Sequence, residues 1–272
     1  MNIKVKILAV LLFALVMSCA KNPFTGKSTM AFVPNSQIFP SAFQQYNQFL
    51  SENKVIKGTS DAKRIETIGM KIKTAAERFL NANGNANYLD GYEWEYKLVD
   101  SKELNAWCMP GGKIVFYTGI LPVCKDDAGI AAVMGHEVAH ALANHGQQRM
   151  SAGLLQQLGA VGAQVAVGNQ DAETQALVMQ AYGVGSQVGG MLPFSRKHES
   201  EADMIGLTLM AIAGYDPINA VKVWERMSAI SNGQAPPEIL STHPSNETRI
   251  KELTALIPQA KAEAAKFGVT FK

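Results

Sequence analysis

The sequence predicts a mostly helical α+β fold with a small β-sheet, and three observations carry that reading. Residues 61–79 set Ile65, Ile68, Ile72, Ala76 and Phe79 at helical spacing, and residues 128–145 and 196–213 also read as helices. Tyr92, Trp94, Tyr96 and Leu98 alternate with polar neighbours at the strand period, and residues 113–118 are rich in β-branched and aromatic side chains. Finally, 272 residues with 47% apolar and 18% charged content suffice for one substantial core, and suit neither a disordered nor a multi-span membrane chain.

The chain opens with Lys4 and Lys6, followed by an unbroken apolar run at 7–17 and then Ser18-Cys19-Ala20. Eleven apolar residues are too few to span a bilayer, so the run reads as a signal segment; an ordinary cleaved signal or a short buried helix are the plainer alternatives. Val16-Met17-Ser18-Cys19 resembles a bacterial lipobox, which implies cleavage before Cys19 and lipid attachment to it. Ala20, in place of the Asp that retains such proteins in the inner membrane, implies an outer-membrane lipoprotein facing the periplasm. In that oxidising compartment Cys108 and Cys124 could pair. The formal charge is +2, and without Lys4 and Lys6 the balance is zero. A near-neutral body with no basic cluster argues against nucleic acid as a partner.

Pro23, Gly26 and Pro34 among polar residues make 21–37 read as a tether, and 81–87 as a loop. Pro110-Gly111-Gly112 is a turn ahead of the strand at 113–118. Residues 151–190 carry no charge except Asp171 and Glu173, and their Ala, Gly and Gln content fits loosely packed helices, a cover over a cleft or a membrane-surface segment. Gly214-Tyr215-Asp216-Pro217 ends one helix and starts the next, with an Asp cap and Pro at the first helical position. Val221, Trp224 and Met227 continue at helical spacing, Pro236-Pro237 breaks the chain, and a last helix is expected from about 245 to 257, before Pro258.

His136-Glu137-Val138-Ala139-His140 carries the chemistry. On a helix, residues i and i+4 share a face, so both imidazoles can reach one metal, and Glu137 lies beside the open side as base to a water. A chance match is expected roughly once in 200 chains of this composition. The alternative, two surface histidines, suits the uncharged Ala, Val, Met and Gly flank poorly. A hydrolytic zinc takes three protein ligands and keeps one open position. His145 lies about 140° round the helix from His140 and cannot easily join. His198 and His243 remain open, as does the pair Glu199 and Asp203, which share a helical face while Glu201 points away. One of that pair can bind metal while the other orients a ligand histidine; a solvated acidic face is the plain reading of the same residues.

His136–His140, Ser195-Arg196 and Glu199-x-x-Ala202-Asp203 together resemble the zinc metallopeptidase family that includes the CAAX prenyl protease and HtpX. Asn22-Pro23-x-Thr25-Gly26, Asn105-Ala106-x-x-x-Pro110-Gly111-Gly112, Gly214–Pro217, Thr242-His243-Pro244 and Arg249-Ile250 extend the match, which is most like the periplasmic lipoprotein branch (LoiP, YcaL and BepA). The resemblance implies a zincin-type domain with its sheet beside the active-site helix, one zinc ion on His136, His140 and Glu199, and Glu137 as catalytic base. It also implies Asp203 as a supporting residue, and His243 near the metal as a plug or an aid to the transition state. It divides the chain into a signal at 1–18, a lipidated tether at 19–40, the metallopeptidase domain at 41–257 and a tail at 258–272. Without a helical-repeat extension or the membrane helices of HtpX, neither scaffold docking nor a prenylated substrate is expected.

The expected function is therefore zinc-dependent endopeptidase action on unfolded or misassembled envelope polypeptides, a quality-control role at a membrane reached through the N-terminal lipid. His243 or Arg249 could stabilise the oxyanion, and the strand at 113–118 is expected to border the cleft and bind extended peptide along its edge. The alternative is a chaperone or assembly factor for outer-membrane proteins in which the metal is structural.

Overall fold

A computed structural model describes residues 19–230 and 247–271. In chain order the first elements are β1 (Cys19–Lys21), β2 (Ser28–Met30), α1 (Asn35–Glu52), β3 (Val55–Ile56), α2 (Ser60–Ala82), β4 (Glu95–Val99), β5 (Ala106–Met109) and β6 (Lys113–Tyr117). Helices α3 (Leu121–Cys124), α4 (Asp127–Leu142), α5 (His145–Ala166), α6 (Ala172–Ser186), α7 (Leu192–Ile212), α8 (Ile218–Ile230) and α9 (Glu247–Ala265) follow. Internal packing divides the chain into two units, Met1–Pro34 with Asn144–His198, and Asn35–Ala143 with Glu199–Lys272. Among the described residues no helix is long and apolar enough to cross a membrane.

The larger unit is built round a four-stranded sheet in the order β3-β4-β6-β5, with β4 and β6 parallel and the other pairs antiparallel. One face meets α1, where Tyr46 packs with Val99, Val115 and Tyr117, and Phe49 and Trp107 add edge-on contact. On the other face Tyr96 lies directly against Gly69 of α2, a contact too close to admit a side chain at 69. The aromatic alternation at 92–98 becomes a row of rings, Tyr92 on Trp94 on Tyr96, of which only the last belongs to β4.

Two expectations about strands change. Residues 113–117 are buried throughout and paired on both sides, so they form an inner strand. The edges are β3 and β5, and β5, Ala106–Met109, reads poorly from sequence because Ala, Cys and Met around one Trp carry little strand signal.

The chain's longest buried element is α4, in which every residue from Gly129 to Leu142 is buried. A helix apolar all round is built for a core. Asp126 caps its start by accepting from the Gly129 N–H at 2.8 Å. At its end the Tyr88 hydroxyl donates to Leu142 O at 2.6 Å, satisfying a carbonyl that has no helical partner. Halfway along, α4 crosses α7: a Cβ on Gly135 would stand 2.8 Å from Gly206 O, and one on Gly206 would stand 2.8 Å from His136 N. Only glycine on both sides allows this approach.

Further differences lie at the termini. The stretch read as a tether holds the β1–β2 hairpin, turned by Asn22, whose carbonyl accepts from Gly26 N and whose side chain accepts from Phe24 N. The last helix does not stop before Pro258 but runs through it to Ala265, because Leu253, Ala260 and Ala264 all bury against the unit. Packing there outweighs the one backbone bond a proline removes. Asp216 does cap α8, accepting from Ile218 N at 3.1 Å. Cys108 and Cys124 are free thiols. Burial pushes Cys124 up to about 12 and Cys108 well above the ordinary thiol range.

The glycine crossing is testable. Gly206→Ala should lower the denaturation midpoint by the equivalent of about 1–3 kcal/mol, the usual cost of overpacking. Gly153→Ala, on α5 with nothing within 4 Å, should be neutral or slightly stabilising. Equal midpoints for wild type and Gly206→Ala would mean that α4 and α7 do not meet this closely.

Candidate metal centre

The crossing sets two helix faces against each other in the larger unit. From α4 come His136 and His140, one turn apart, with rings 4.8 Å apart and nearly perpendicular. From α7 comes Glu199. The His136 and His140 Nε2 atoms are 3.2 Å apart, with Glu199 Oε2 3.5 Å from the former and Oε1 3.4 Å from the latter. All three residues are buried, and they form a group of donors within 4.8 Å of one another.

Those separations can be compared with what zinc requires. Bonds of about 2.1 Å at tetrahedral angles put neighbouring donor atoms about 3.4 Å apart. The two imidazole nitrogens stand close to that spacing, and each has one Glu199 oxygen near it, so the donor set suits one ion. Two imidazoles and a carboxylate also leave a fourth position for the reaction.

Asp203, one turn beyond Glu199 on α7, lies 2.9 Å from His136 Nδ1. The bond places the proton on Nδ1 and leaves Nε2 for metal. Burial opposes ionisation of Asp203, yet the Arg249 guanidinium and His136 hold it below the usual carboxylate range. Burial likewise works against the His136 imidazolium, but the bonds to Asp203 and Glu199 prevail and push it up to about 9.

Arg249 of α9 grips Asp203 with two bonds, Nε to Oδ2 at 2.8 Å and Nη2 to Oδ1 at 2.7 Å, and Nη1 lies 3.2 Å from Glu199 Oε2. Its guanidinium stacks 3.8 Å over the Trp224 ring. This arrangement makes Arg249 a clamp on the carboxylates, and its Nη2 also lies 3.3 Å from His136 Nε2. Trp224 itself lines, with Ala132, Val133, Val223 and Met227, a small cleft that exposes His136 and Glu137. The sequence showed Trp224 only as a helical-face residue, because a stacking partner 25 positions away leaves no local pattern.

The remaining candidates separate. Glu201 is only half-buried, while Glu199 and Asp203 are 5% exposed, as expected if the helix turns Glu201 away. His198 stacks on His145 in the smaller unit, with rings 4.1 Å apart, and its Nε2 lies 3.2 Å from Gln148 Oε1. His243 lies outside the described residues.

A histidine pair on a buried helix, completed by a glutamate from a second helix in a mostly helical domain with a small mixed sheet, is the arrangement of zincin-type metallopeptidases. The chain belongs to peptidase family M48, whose model matches residues 66–257. Metalloproteases of that family use zinc. Among similar proteins, the mitochondrial metalloendopeptidase OMA1 of Arabidopsis thaliana is 37% identical over 205 residues, 73% of this chain and 40% of its own length. The OMA1 of Saccharomyces cerevisiae is 36% identical over 208 residues, 72% of this chain and 56% of its own. The β-barrel assembly-enhancing protease of Escherichia coli is 29% identical over 167 residues, 58% of this chain and 33% of its own. The chain thus spans about half the length, or less, of these relatives.

The mitochondrial relatives overturn the placement as an outer-membrane lipoprotein facing the periplasm, and they do not single out the periplasmic lipoprotein branch. That placement rested on four residues, Val16–Cys19, and on Ala20. The similarity to OMA1 extends over some 200 residues and outweighs it.

Ligand roles are testable by zinc titration against a competing chelator. Glu199→Gln should weaken affinity severely, since it removes one of three donors and the anionic one. Asp203→Asn should cost roughly 10–100-fold, by loosening the His136 ring. Glu201→Gln should leave affinity nearly unchanged. A larger loss at Glu201 than at Glu199 would reverse the assignment.

Proposed function

We propose that the chain is a zinc-dependent endopeptidase that hydrolyses peptide bonds in unfolded or misassembled polypeptides, through a catalytic domain at 41–257. The observation that carries the reading is the position of Glu137, which shares a cleft with the metal-facing His136 while remaining 6% exposed. When bound, zinc supplies Lewis acidity that makes water nucleophilic near neutral pH and polarises the scissile carbonyl.

The chain's own residues supply the rest. His136, His140 and Glu199 would hold the ion, and Asp203 fixes the His136 tautomer while Arg249 holds Asp203. Glu137 takes the proton of the attacking water and delivers it to the leaving amine. Val133, Trp224 and Met227 keep the cleft apolar, which strengthens each charge interaction within it. His243 is assigned the stabilising role at the oxyanion on the family resemblance alone.

The edge strand β5 packs against α4, and Glu137 is near enough to Cys108 for its carboxylate to add to burial in raising that thiol. An extended peptide added along β5 would bring its backbone to the base with little demand on sequence, which suits unfolded substrates. A chaperone with a structural metal is the weaker reading, because such a site would be closed by a fourth ligand and would have no use for Glu137. The names of the relatives, two metalloendopeptidases and a protease that enhances β-barrel assembly, favour hydrolysis as well. Lipid attachment at Cys19 remains a separate proposal, supported by the apolar run at 7–17. Intact-mass measurement of the mature chain should show a diacylglyceryl addition that Cys19→Ser abolishes; an unmodified N-terminus would exclude it.

The decisive variant is Glu137→Gln. It should keep its fold and its zinc, yet cleave casein at least ~100-fold more slowly than wild type, as loss of a general base requires. Near-wild-type turnover with full zinc content would remove Glu137 from the mechanism.

A further inference from the structure

Among the described residues the smaller unit leaves one apolar helix face uncovered. Along α5, Met150, Leu154, Leu158, Val161 and Val165 are 48–75% exposed. At about 100° per residue they fall within about 80° of one another, a stripe roughly 22 Å long. The opposite side of α5 is the packed one: Gln156 O accepts from the Tyr182 hydroxyl of α6 at 2.7 Å, and Gln156 Nε2 donates to Ser186 at 2.9 Å. Helix α6 adds Leu177 and Val184, two turns apart and 66% and 60% exposed. Large apolar side chains aligned on one exposed face mark a docking surface.

Three observations bear on what covers it. Between residues 150 and 195 the only charges are Asp171 and Glu173, at the tip of the hairpin, so the face offers no charge pattern by which a protein partner could be set in register. The N-terminal hairpin belongs to the same unit and is fastened to α5, where the Phe32 N–H donates to Ser151 Oγ at 3.1 Å. That hairpin starts at Cys19, where the lipid proposed above would hold this unit at a bilayer surface. The basic residues of the described unit, Lys21, Lys27, Arg149, Arg196 and Lys197, are all exposed and outnumber its two acids. Such a balance draws a surface toward anionic headgroups. Neither α5 nor α6 is long and apolar enough to cross a bilayer.

We propose that this face rests on an anionic lipid surface, with the α5 stripe, Leu177 and Val184 at the boundary between headgroups and acyl chains. The unit then lies on the membrane as an interfacial helical pair does, held by apolar area and by its exposed lysines and arginines. This goes beyond the peptidase reading and does not depend on it.

The test uses the full chain with Leu158→Trp, read against the wild-type indole background. Vesicles of phosphatidylcholine with phosphatidylglycerol, with or without bromine in the acyl chains, are the probe. Expected are a blue shift, quenching by the brominated chains, and partition about 10-fold stronger than to phosphatidylcholine alone. Adding Leu154→Gln and Val161→Gln should cut partition about 10-fold, while casein cleavage in the absence of vesicles stays at the wild-type rate. An unquenched indole overturns the proposal, and if those two glutamines also abolish a concentration-dependent dimer, the face belongs to a second copy of the chain. Quenching indifferent to phosphatidylglycerol overturns the anionic preference.

Discussion

The contact on which the site depends is backbone against backbone, where Gly135 of α4 meets Gly206 of α7. Packed helices ordinarily stand 8–10 Å apart, with side chains filling the gap. Removing both side chains lets the axes approach until short groups reach across. His136 follows Gly135 directly, and Glu199, Asp203 and Gly206 share one face of α7 by their spacing of four and three. An aspartate has one methylene to extend, and at ordinary separation it would fall short of the imidazole that it meets here at 2.9 Å. A histidine pair supplies donors, but the crossing decides that a third donor arrives at metal-binding distance.

Arg249 and Trp224 answer a second difficulty, which is holding several carboxylates in a dry place. Glu137, Glu199 and Asp203 are all buried within the same small region. A buried charge is tolerated when paired and bonded. The two-pronged contact of Arg249 with Asp203 leaves that carboxylate ionised, and Trp224 covers the face of the guanidinium. The cost of burial is met by geometry that also fixes the orientation of His136. Deleting any one partner would strand the others, so the group behaves as a unit.

How much could be read from the chain follows from how local each feature is. The His136–His140 pair is one helical turn and declares itself. Glu199 and Asp203 are likewise one turn, so their shared face was legible, although sequence spacing alone could not say that they meet α4. Gly135 and Gly206 carry no pattern, because a close approach is a property of two segments 71 residues apart. The edge strand was misplaced for the opposite reason: 113–117 is so strongly β-forming that it drew attention from its weaker neighbour 106–109, yet strong apolar strands belong inside a sheet. Pro258 looked like a stop because local rules say so, and tertiary burial of Leu253, Ala260 and Ala264 overrides them.

The bond between His136 and Asp203 has a consequence for the protein before it meets its metal. The carboxylates that aim the imidazole also stabilise a proton on it, up to a pKa of about 9. In the metal-free chain that raised value contributes to folding fully below the ordinary histidine value of about 6.5 and fades as pH climbs through 9. At neutral pH a proton and the metal therefore compete for His136. Zinc uptake would release that proton, so acidity works against it.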